Sequence, residues 1–524
     1  MTSSDDKQAG GLSRRGFLGT SGLLAGAGLT TLHAAPSGHL QLGPDIYESI
    51  GVTPIVNCRG TFTIISGSQT LPEVKAAMDA ASRHYIHLDE LMDAVSRRLA
   101  ELTQAEWGIV TAGCAAALTH ATAACIAGAD PEKMQRLPNL SGLKNEVVVP
   151  RHSRNEYDHA VRMLGVRMVE VDTPEQMIAA LNDKTAMVMV LASPEAERSP
   201  LNVDVVCQLA KQRNVPVIVD AAAETLTIPN KYLQRGATMV AYSGGKCLRG
   251  PQCSGLLLGR KDLVQAAWIN SAPHHAFGRS LKVGKEEIMG LLAAVEMWVK
   301  RDHDAEWKTW QSWLDSIAAR VTAIPGVTTE ILQPSDLSNH APRLRILWDA
   351  AKLGITGQQV EQALLHGSPR IVFNESSAGS LTVMPYMMMP DDHKIAGDAI
   401  RAILTKPPKF EAPTPPSAPV LNVDGLWEAE LTFVCGTARH QLQFEQRGDQ
   451  LLGSHHGDVL AGDLRGSVDG ATIHFRSGHH YEGTTLHYDF TGTVDGADGR
   501  HMSGEVTLGE YGKARWTAQR HSYA

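Results

Sequence analysis

The sequence predicts an α/β fold with a large, mostly parallel sheet domain and a small α/β lobe, followed by a small all-β domain. Three observations support this prediction. From residue 45 to about residue 405, apolar strand candidates alternate with helical segments, which is typical of a parallel sheet covered on both faces. Residues 406–420 form a proline-rich linker. Residues 421–524 show alternating strands and frequent glycines without a helical period, which indicates a barrel or sandwich.

The elements of the α/β unit can be placed from their hydrophobic pattern. Strands are predicted at residues 146–149, 168–171, 186–191, 215–219, 239–242 and 255–258. Helices are predicted at residues 91–102, 115–127, 174–181 and 203–213. We expect the large domain to span about residues 45–285. A long helical pattern at 285–321 and the small lobe that follows it should together occupy about residues 286–405.

The N-terminus is predicted to be a twin-arginine signal peptide covering residues 1–35. Arg14 and Arg15 stand between a serine and the Gly16-Phe17-Leu18 run, and a weakly apolar, glycine-rich stretch follows. That stretch is too short for a stable membrane span. We therefore expect a periplasmic or other extracytoplasmic location, with the twin-arginine export machinery as a partner.

Composition excludes some functions. The chain has 524 residues, is 43% hydrophobic and 20% charged, and carries a net charge of −8. No basic surface for nucleic acid is indicated. Seven cysteines without a Cys-x-x-Cys pair are expected to be mostly buried thiols. The β domain holds His455-His456, His474 and His479-His480. Neighbouring strand residues face opposite ways, so we expect solvated histidines and no metal site.

Lys246 is the first candidate for chemistry. It follows an apolar strand candidate and lies in the glycine-rich stretch Ser243-Gly244-Gly245-Lys246-Cys247-Leu248-Arg249-Gly250-Pro251-Gln252. Such a turn gives a lysine a rigid mount and room for an aldehyde cofactor, as a Schiff-base lysine requires. Another strand candidate ends in Asp220, and an aspartate that pairs with the pyridine nitrogen keeps pyridoxal 5'-phosphate an electron sink. Lys246 and Asp220 are therefore the candidate catalytic pair, with pyridoxal 5'-phosphate (PLP) as the expected cofactor.

A phosphate site is predicted at Gly113, Cys114 and Ala115. These small residues lie where a strand candidate meets a helix, and a helix N-terminus with accessible N–H groups binds anions. Along the chain, this segment precedes Asp220 and Lys246, the order typical of fold-type I PLP enzymes.

The lysine segment resembles that of the selenocysteine synthases, the L-seryl-tRNA selenium transferases. It is still more similar to their tRNA-independent relatives of the D-glucosaminate-6-phosphate ammonia-lyase type. The resemblance covers about residues 46–405 and includes three further segments: Ile55-Val56-Asn57-x-x-Gly60-Thr61, Tyr157-Asp158-His159-Ala160 and Arg279-x-x-Lys282-Val283-Gly284-Lys285-Glu286. It implies a type I PLP fold. The signal peptide and the β domain lie outside it.

The resemblance also implies roles for single residues. Lys246 would form the Schiff base and move protons at the substrate's α-carbon. Asp220 would hold the pyridinium, and Ser243 would assist the phosphate donors. His152 follows a strand candidate and could stack on the cofactor ring. Two further arginines are candidate substrate residues: Arg370, in the small lobe, could bind the carboxylate, and Arg59 stands where a small residue is expected.

The expected function is a PLP-dependent carbon–nitrogen lyase that eliminates ammonia or water from an amino acid or amino-sugar acid. Racemisation or aldol cleavage would need the same cofactor residues. Selenium transfer on tRNA is disfavoured by the export signal and the acidic charge. A non-catalytic ligand-binding role is disfavoured by the intact Lys246–Asp220 pair. We also expect a homo-oligomer, with Arg279 reaching into a neighbouring subunit.

Overall fold

The computed structural model describes residues 39–410, 417–419, 421–495 and 499–522. The predicted signal peptide and part of the predicted linker therefore lie outside the described residues. The chain divides near residue 408 into an α/β unit and a C-terminal unit. None of the described helices combines the length and apolar character needed to cross a membrane.

The described strands of the α/β unit form three sheets. Their bounds are β1 Val56–Cys58, β2 Trp107–Thr111, β3 Glu146–Pro150, β4 Arg167–Val171, β5 Thr185–Leu191, β6 Val217–Asp220, β7 Met239–Ser243, β8 Gly255–Gly259, β9 Thr328–Leu332, β10 Arg343–Leu347, β11 Ile371–Phe373, β12 Glu375–Ser377 and β13 Ser380–Val383. All the strands predicted from the sequence are present, with ends shifted by one or two residues.

The largest sheet has seven strands in the order β2-β8-β7-β6-β5-β3-β4. Strands β3 to β7 pair in parallel, as expected for the buried, β-branched centre of a doubly covered sheet. The sheet is mixed, however, because β8 runs antiparallel to both β2 and β7. Residues 244–254 connect β7 to β8, and this connection is shorter than a parallel crossover usually requires, so the chain reverses.

Helices cover this sheet and build the rest of the unit. Their bounds are α1 Pro72–Ser82, α2 Leu88–Thr103, α3 Cys114–Ala127, α4 Pro131–Arg136, α5 His159–Arg162, α6 Pro174–Ala180, α7 Pro194–Arg198, α8 Val203–Gln212, α9 Lys231–Gln234, α10 Lys261–Ile269, α11 Lys285–Lys300, α12 His303–Val321, α13 Ala350–Leu353, α14 Gly357–Leu365 and α15 Asp392–Thr405. The predicted long helix at 285–321 is divided into α11 and α12. Arg301, in an extended conformation, ends α11, and Asp302 accepts a hydrogen bond from the Ala305 N–H as the N-cap of α12.

The small lobe contains the antiparallel sheet β12-β13-β10-β9. Strand β1 pairs in parallel with β11, and Asn57 lies opposite Val372. The N-terminal strand, which lies within the range expected for the large domain, therefore pairs with a strand of the range expected for the small lobe.

The C-terminal unit is a closed antiparallel barrel of eight strands. This confirms the all-β prediction, and of the two expected forms, barrel and sandwich, the domain has the barrel. The bounds are β14 Gly425–Thr432, β15 Thr437–Arg447, β16 Gln450–His456, β17 Ala461–Asp469, β18 Thr472–Tyr481, β19 Thr484–Asp495, β20 His501–Thr507 and β21 Lys513–Arg520. Its core includes Trp427 and Trp516, which are almost completely buried.

Three histidines gather inside this barrel. His455 and His479 are buried, while their neighbours His456 and His480 are exposed, so the expected alternation holds but the expectation of solvated histidines is wrong for the inward pair. His440 Nδ1 lies 2.7 Å from His455 Nε2, and the rings of His455 and His479 lie 4.4 Å apart. Within the described residues, no group of three or more side chains could hold a metal ion.

Acidification should destabilise the barrel. Burial, helped by the neighbouring histidines, lowers the pKa of His455 to about 2, whereas an unfolded histidine titrates near ~6.5. Below that pH the unfolded chain binds a proton that the folded barrel does not. The stability contributed by neutral His455 is therefore complete above pH ~6.5 and falls by about 1.4 kcal/mol per pH unit below it. Hydrogen exchange of barrel peptides in the full chain, from about pH 7 to about pH 5, measures this loss.

A matched pair of variants isolates the histidine. His455→Phe should lower the free energy of unfolding overall, because His440 loses its partner. It should also reduce the slope of that free energy against pH by the contribution of about one proton. His456→Asn changes an exposed neighbour and should leave the slope unchanged. The same slope in all three proteins would contradict the assignment.

Candidate active site

The functional candidates of the large domain lie where the parallel strands of the seven-stranded sheet have their C-terminal ends, which we call one edge of the sheet. Strand β6 ends at Asp220 and β7 at Ser243, and β3 runs directly into the turn that holds His152. Because β8 opposes both its neighbours, β2 points the same way as β7 and delivers Gly113 to the same edge. Strand ends at one edge of such a sheet are the usual place for a ligand site.

Lys246 is half-buried in a tight turn after β7. The Gly244 N–H donates to the Ser254 carbonyl at 2.8 Å. A Cβ on Gly244 would lie 2.1 Å from the Ser254 Oγ, and one on Gly245 would lie 2.3 Å from the Gln252 Oε1. The glycines are therefore required for the close packing of the turn, and this packing gives the lysine a fixed mount.

Asp220 is 3% exposed and lies beside Cys114. Its Oδ1 accepts a hydrogen bond from the Ala222 N–H at 3.1 Å and one from the Cys114 Sγ at 3.5 Å. Burial raises the pKa of the Asp220 carboxyl, while the Ala222 N–H, the Lys246 charge and the Cys114 thiol oppose this rise. The Lys246 charge thus acts on Asp220, and the structure brings the candidate catalytic pair together with Cys114.

The N-terminus of α3 forms an open cradle. Gly113, its N-cap, has a φ of 101° and no side-chain cap, and a Cβ placed on it would meet nothing within 4 Å. Gly255 of β8 packs so closely that a Cβ there would lie 2.4 Å from the Gly113 carbonyl carbon. Ala115, in the first turn, is exposed. Free N–H groups at the start of this 14-residue helix are a suitable site for a phosphate.

His152 is half-buried after β3, with its Nδ1 3.1 Å from the Ser153 Oγ. Burial lowers the pKa of His152, so the ring is neutral near pH 7. Its neighbour Arg151 turns outward to Glu170 and Asp172.

These features fit PLP. A buried carboxylate, a lysine on a glycine-packed turn and an uncapped helix N-terminus with space beside Gly113 lie at the same end of the sheet, together with His152. Asp220 would meet the ring nitrogen, Lys246 the aldehyde and the N-terminus of α3 the phosphate.

The structure does not bring the two candidate substrate arginines together. Arg59 follows the end of β1, whereas Arg370 precedes β11, at the opposite end of this parallel pair. Arg59 is buried with its guanidinium 4.4 Å from the Phe62 ring centre. Arg370 is half-buried, and its Nε donates to the Leu365 carbonyl at 3.0 Å. Their roles toward a substrate stay predictions, as does that of Arg279, which is exposed.

Sequence reasoning missed the side chain of Cys114. Only its backbone was expected to act, at the phosphate. The two residues are 106 positions apart, and only the pairing of strands brings them together.

Several known proteins are similar to this chain. Residues 77–278 match the aminotransferase class-V family model. The chain is 31% identical to a D-glucosaminate-6-phosphate ammonia lyase of Salmonella typhimurium, over 62% of this chain and 88% of the relative. It is also 31% identical to a 5'-C-glycyluridine monooxygenase-decarboxylase of a Streptomyces species, over 66% and 88%. An L-seryl-tRNA(Sec) selenium transferase of Proteus mirabilis is 29% identical over 42% and 48%.

A solved D-glucosaminate-6-phosphate ammonia-lyase structure superposes with a TM-score of 0.63 at 29% identity, covering 70% of this chain and 99% of that one. The expected type I PLP fold and the resemblance are therefore confirmed.

Proposed function

The chain belongs to the family of PLP-dependent enzymes that includes D-glucosaminate-6-phosphate ammonia lyase, and we propose that it removes ammonia from a 2-amino-3-hydroxy acid of the amino-sugar acid class. The reaction takes the proton from C2 and the hydroxyl from C3, and it yields ammonia and a 2-oxo-3-deoxy acid. One water is lost and one is consumed, so the atoms balance. The identity to an ammonia lyase over 88% of its length carries this proposal.

The residues at the sheet edge have distinct tasks in this reaction. PLP, when bound, supplies the electron sink for the carbanion at C2. Lys246, on its fixed turn, takes the C2 proton as general base. Asp220 keeps a negative charge where the ring nitrogen needs one. Arg370 is our candidate for the substrate carboxylate, since its guanidinium suits a bidentate contact.

A substrate screen tests the proposal. The PLP-loaded protein is offered D-glucosaminate, its 6-phosphate, and both enantiomers of serine and threonine. We expect release of ammonia and a 2-oxo acid in equal amounts from at least one amino-sugar acid. An inverted amino acid would indicate a racemase, and an aldehyde with glycine would indicate an aldolase. Either product in place of ammonia would overturn the proposal.

Oxidative decarboxylation is the second candidate, because a relative named as a monooxygenase-decarboxylase is equally identical to the chain. Fold and cofactor residues are shared between such chemistries. The screen is therefore run with and without dioxygen. Oxygen uptake and carbon dioxide release would favour this second function.

We also propose that the active form is a homo-oligomer in which Arg279 completes a neighbouring subunit's site. Arg279 and Lys282 are both exposed in the single chain, so their side chains are free to reach another copy. Large apolar side chains are exposed elsewhere on the unit, including Tyr85 at 104% and Ile64 at 59%.

Complementation should reveal a shared site. Arg279→Ala and Lys246→Ala are each expected to lose activity, while dimers mixed from both variants should regain one intact site each, roughly a quarter of all sites on random mixing. Light scattering establishes the oligomer, and a mixture of each variant with itself is the control. A fully active monomer would refute the proposal.

For localisation, we propose export by the twin-arginine route, supported by Arg14 and Arg15 in their sequence context. Replacing both by lysine should trap the precursor in the cytoplasm, since a paired guanidinium differs from an ammonium pair in geometry. Cell fractionation measures this, with Lys7→Arg as a control that alters another basic residue of the segment. Periplasmic double-lysine protein would contradict the proposal.

A further inference from the structure

In the described part of the chain, Asp220 receives hydrogen bonds on one of its two oxygens. The Ala222 N–H and the Cys114 thiol both reach Oδ1, at 3.1 and 3.5 Å. Within the described residues, no hydrogen bond to Oδ2 is seen. A carboxylate with one oxygen held in this way has a fixed plane, and its second oxygen is left for another donor. The ring nitrogen of PLP is a donor of the required kind.

Cys114 is suited to hold the carboxylate because it remains a thiol. It is 8% exposed, and burial together with the Asp220 charge raises its pKa well above the ordinary value, although Lys246 opposes this. A neutral thiol donates a hydrogen bond, whereas a thiolate would repel the carboxylate. Its place as the first residue of α3 fixes its backbone at the cradle beside Gly113.

We propose that Cys114 is a positioning residue, whose thiol holds the Asp220 Oδ1 so that the Oδ2 faces the ring nitrogen of the cofactor. The proposal goes beyond the role expected for Cys114, which concerned only its backbone at the phosphate. Cys114 thus acts through Asp220 and not on the substrate. Two parts of the cofactor, its phosphate and its ring nitrogen, are then aligned by the backbone and the side chain of one residue.

Loss of the thiol should weaken cofactor binding. Losing a hydrogen bond that a weak donor makes to a charged group should change the dissociation constant by about fivefold to tenfold. We therefore expect Cys114→Ala to raise the PLP dissociation constant of the apoprotein by about that factor, measured by equilibrium dialysis. Cys114→Ser keeps a donor and should restore binding. Cys114→Val fills the space without a donor and should behave like the alanine variant.

The pH dependence of binding separates positioning from simple packing. The groups that act on the Asp220 carboxyl are Lys246, the Cys114 thiol and the Ala222 N–H, all of which oppose the rise in its pKa caused by burial. Without the thiol the pKa rises further, so Asp220 should take up a proton, and PLP affinity should fall, at a higher pH than in the parent. Cys114→Ser should return the profile towards the parent.

Cys125→Ala is the matched control. Cys125 lies near the C-terminal end of the same helix, and its thiol is half-buried. This variant should leave both the dissociation constant and the pH profile unchanged. Parental binding and pH profile in Cys114→Ala would overturn the proposal, as would a serine variant no better than alanine and valine. Because the readout is PLP binding, these outcomes are independent of which substrate the enzyme uses.

Discussion

Replacing Lys246 by alanine should abolish turnover and leave the fold intact. The lysine supplies both the amine that joins the cofactor and the base that takes the C2 proton. A positioned proton-transfer group alone contributes about 10²- to 10⁴-fold, and the covalent role adds to this, so we expect at least about a thousandfold loss in kcat. The turn should survive, because the backbone bond from the Arg249 N–H to the Lys246 carbonyl is retained. Steady-state kinetics on the substrate found in the screen measure the loss.

Borohydride labelling gives an independent readout for the same variant. Reduction of the loaded parent should leave a pyridoxyl group on the peptide that contains Lys246, and the alanine variant should not be labelled there. Lys211→Ala, which alters an exposed lysine of α8, should keep both label and turnover. A label on another lysine in the parent would show that the site has been assigned wrongly.

The sequence located the cofactor candidates of the large domain because they follow strand ends. Apolar β-branched runs mark strands, and the residue after each run must lie at a sheet edge. Asp220, Lys246 and Gly113 were therefore predictable as neighbours, although they are far apart in the chain. The parallel part of the sheet was predictable for the same reason.

Other features depend on contacts that no local pattern encodes. The direction of β8 is set by the short connection across the Lys246 turn, and a run such as 255–258 looks the same whichever way it pairs. The break between α11 and α12 lies at two residues, the extended Arg301 and the capping Asp302, which a helical periodicity does not reveal. In the barrel, alternation predicted that the two histidines of each pair face opposite ways, but the contact of His455 with His440 depends on the register of β15 and β16.

Arg59 and Arg370, the two candidate substrate residues, flank opposite ends of the β1–β11 pair, and their roles toward a substrate stay predictions. Arg59 is buried against Phe62, where burial lowers the pKa of its guanidinium against the influence of Glu361. A residue type at a motif position thus predicts a neighbourhood, and the packing around it decides which way it faces.

Replacing Asp220 by asparagine should lower kcat/KM by about a hundredfold to a thousandfold. Asparagine keeps the size of the side chain but removes the charge that stabilises a protonated ring nitrogen. The loss of a preorganised group aimed at developing charge costs about 3–4 kcal/mol in the transition state, which corresponds to that factor. The carboxylate is 3% exposed, so solvent cannot replace it. The variant should still be labelled at Lys246 by borohydride.

Glu224→Gln is the matched control for Asp220→Asn. Glu224 is a second buried carboxylate, four residues further along, and its pKa is also raised by burial. Its Oε2 accepts a hydrogen bond from the Tyr232 hydroxyl, which glutamine can still accept through its amide oxygen. Loss of activity in both variants would mean that any buried charge in this segment matters for folding. Loss in Asp220→Asn alone, with the Lys246 label retained, would assign the effect to the ring nitrogen. An Asp220→Asn enzyme with parental kcat/KM would mean that another residue holds the ring nitrogen, and the proposed role of Cys114 would fail with it.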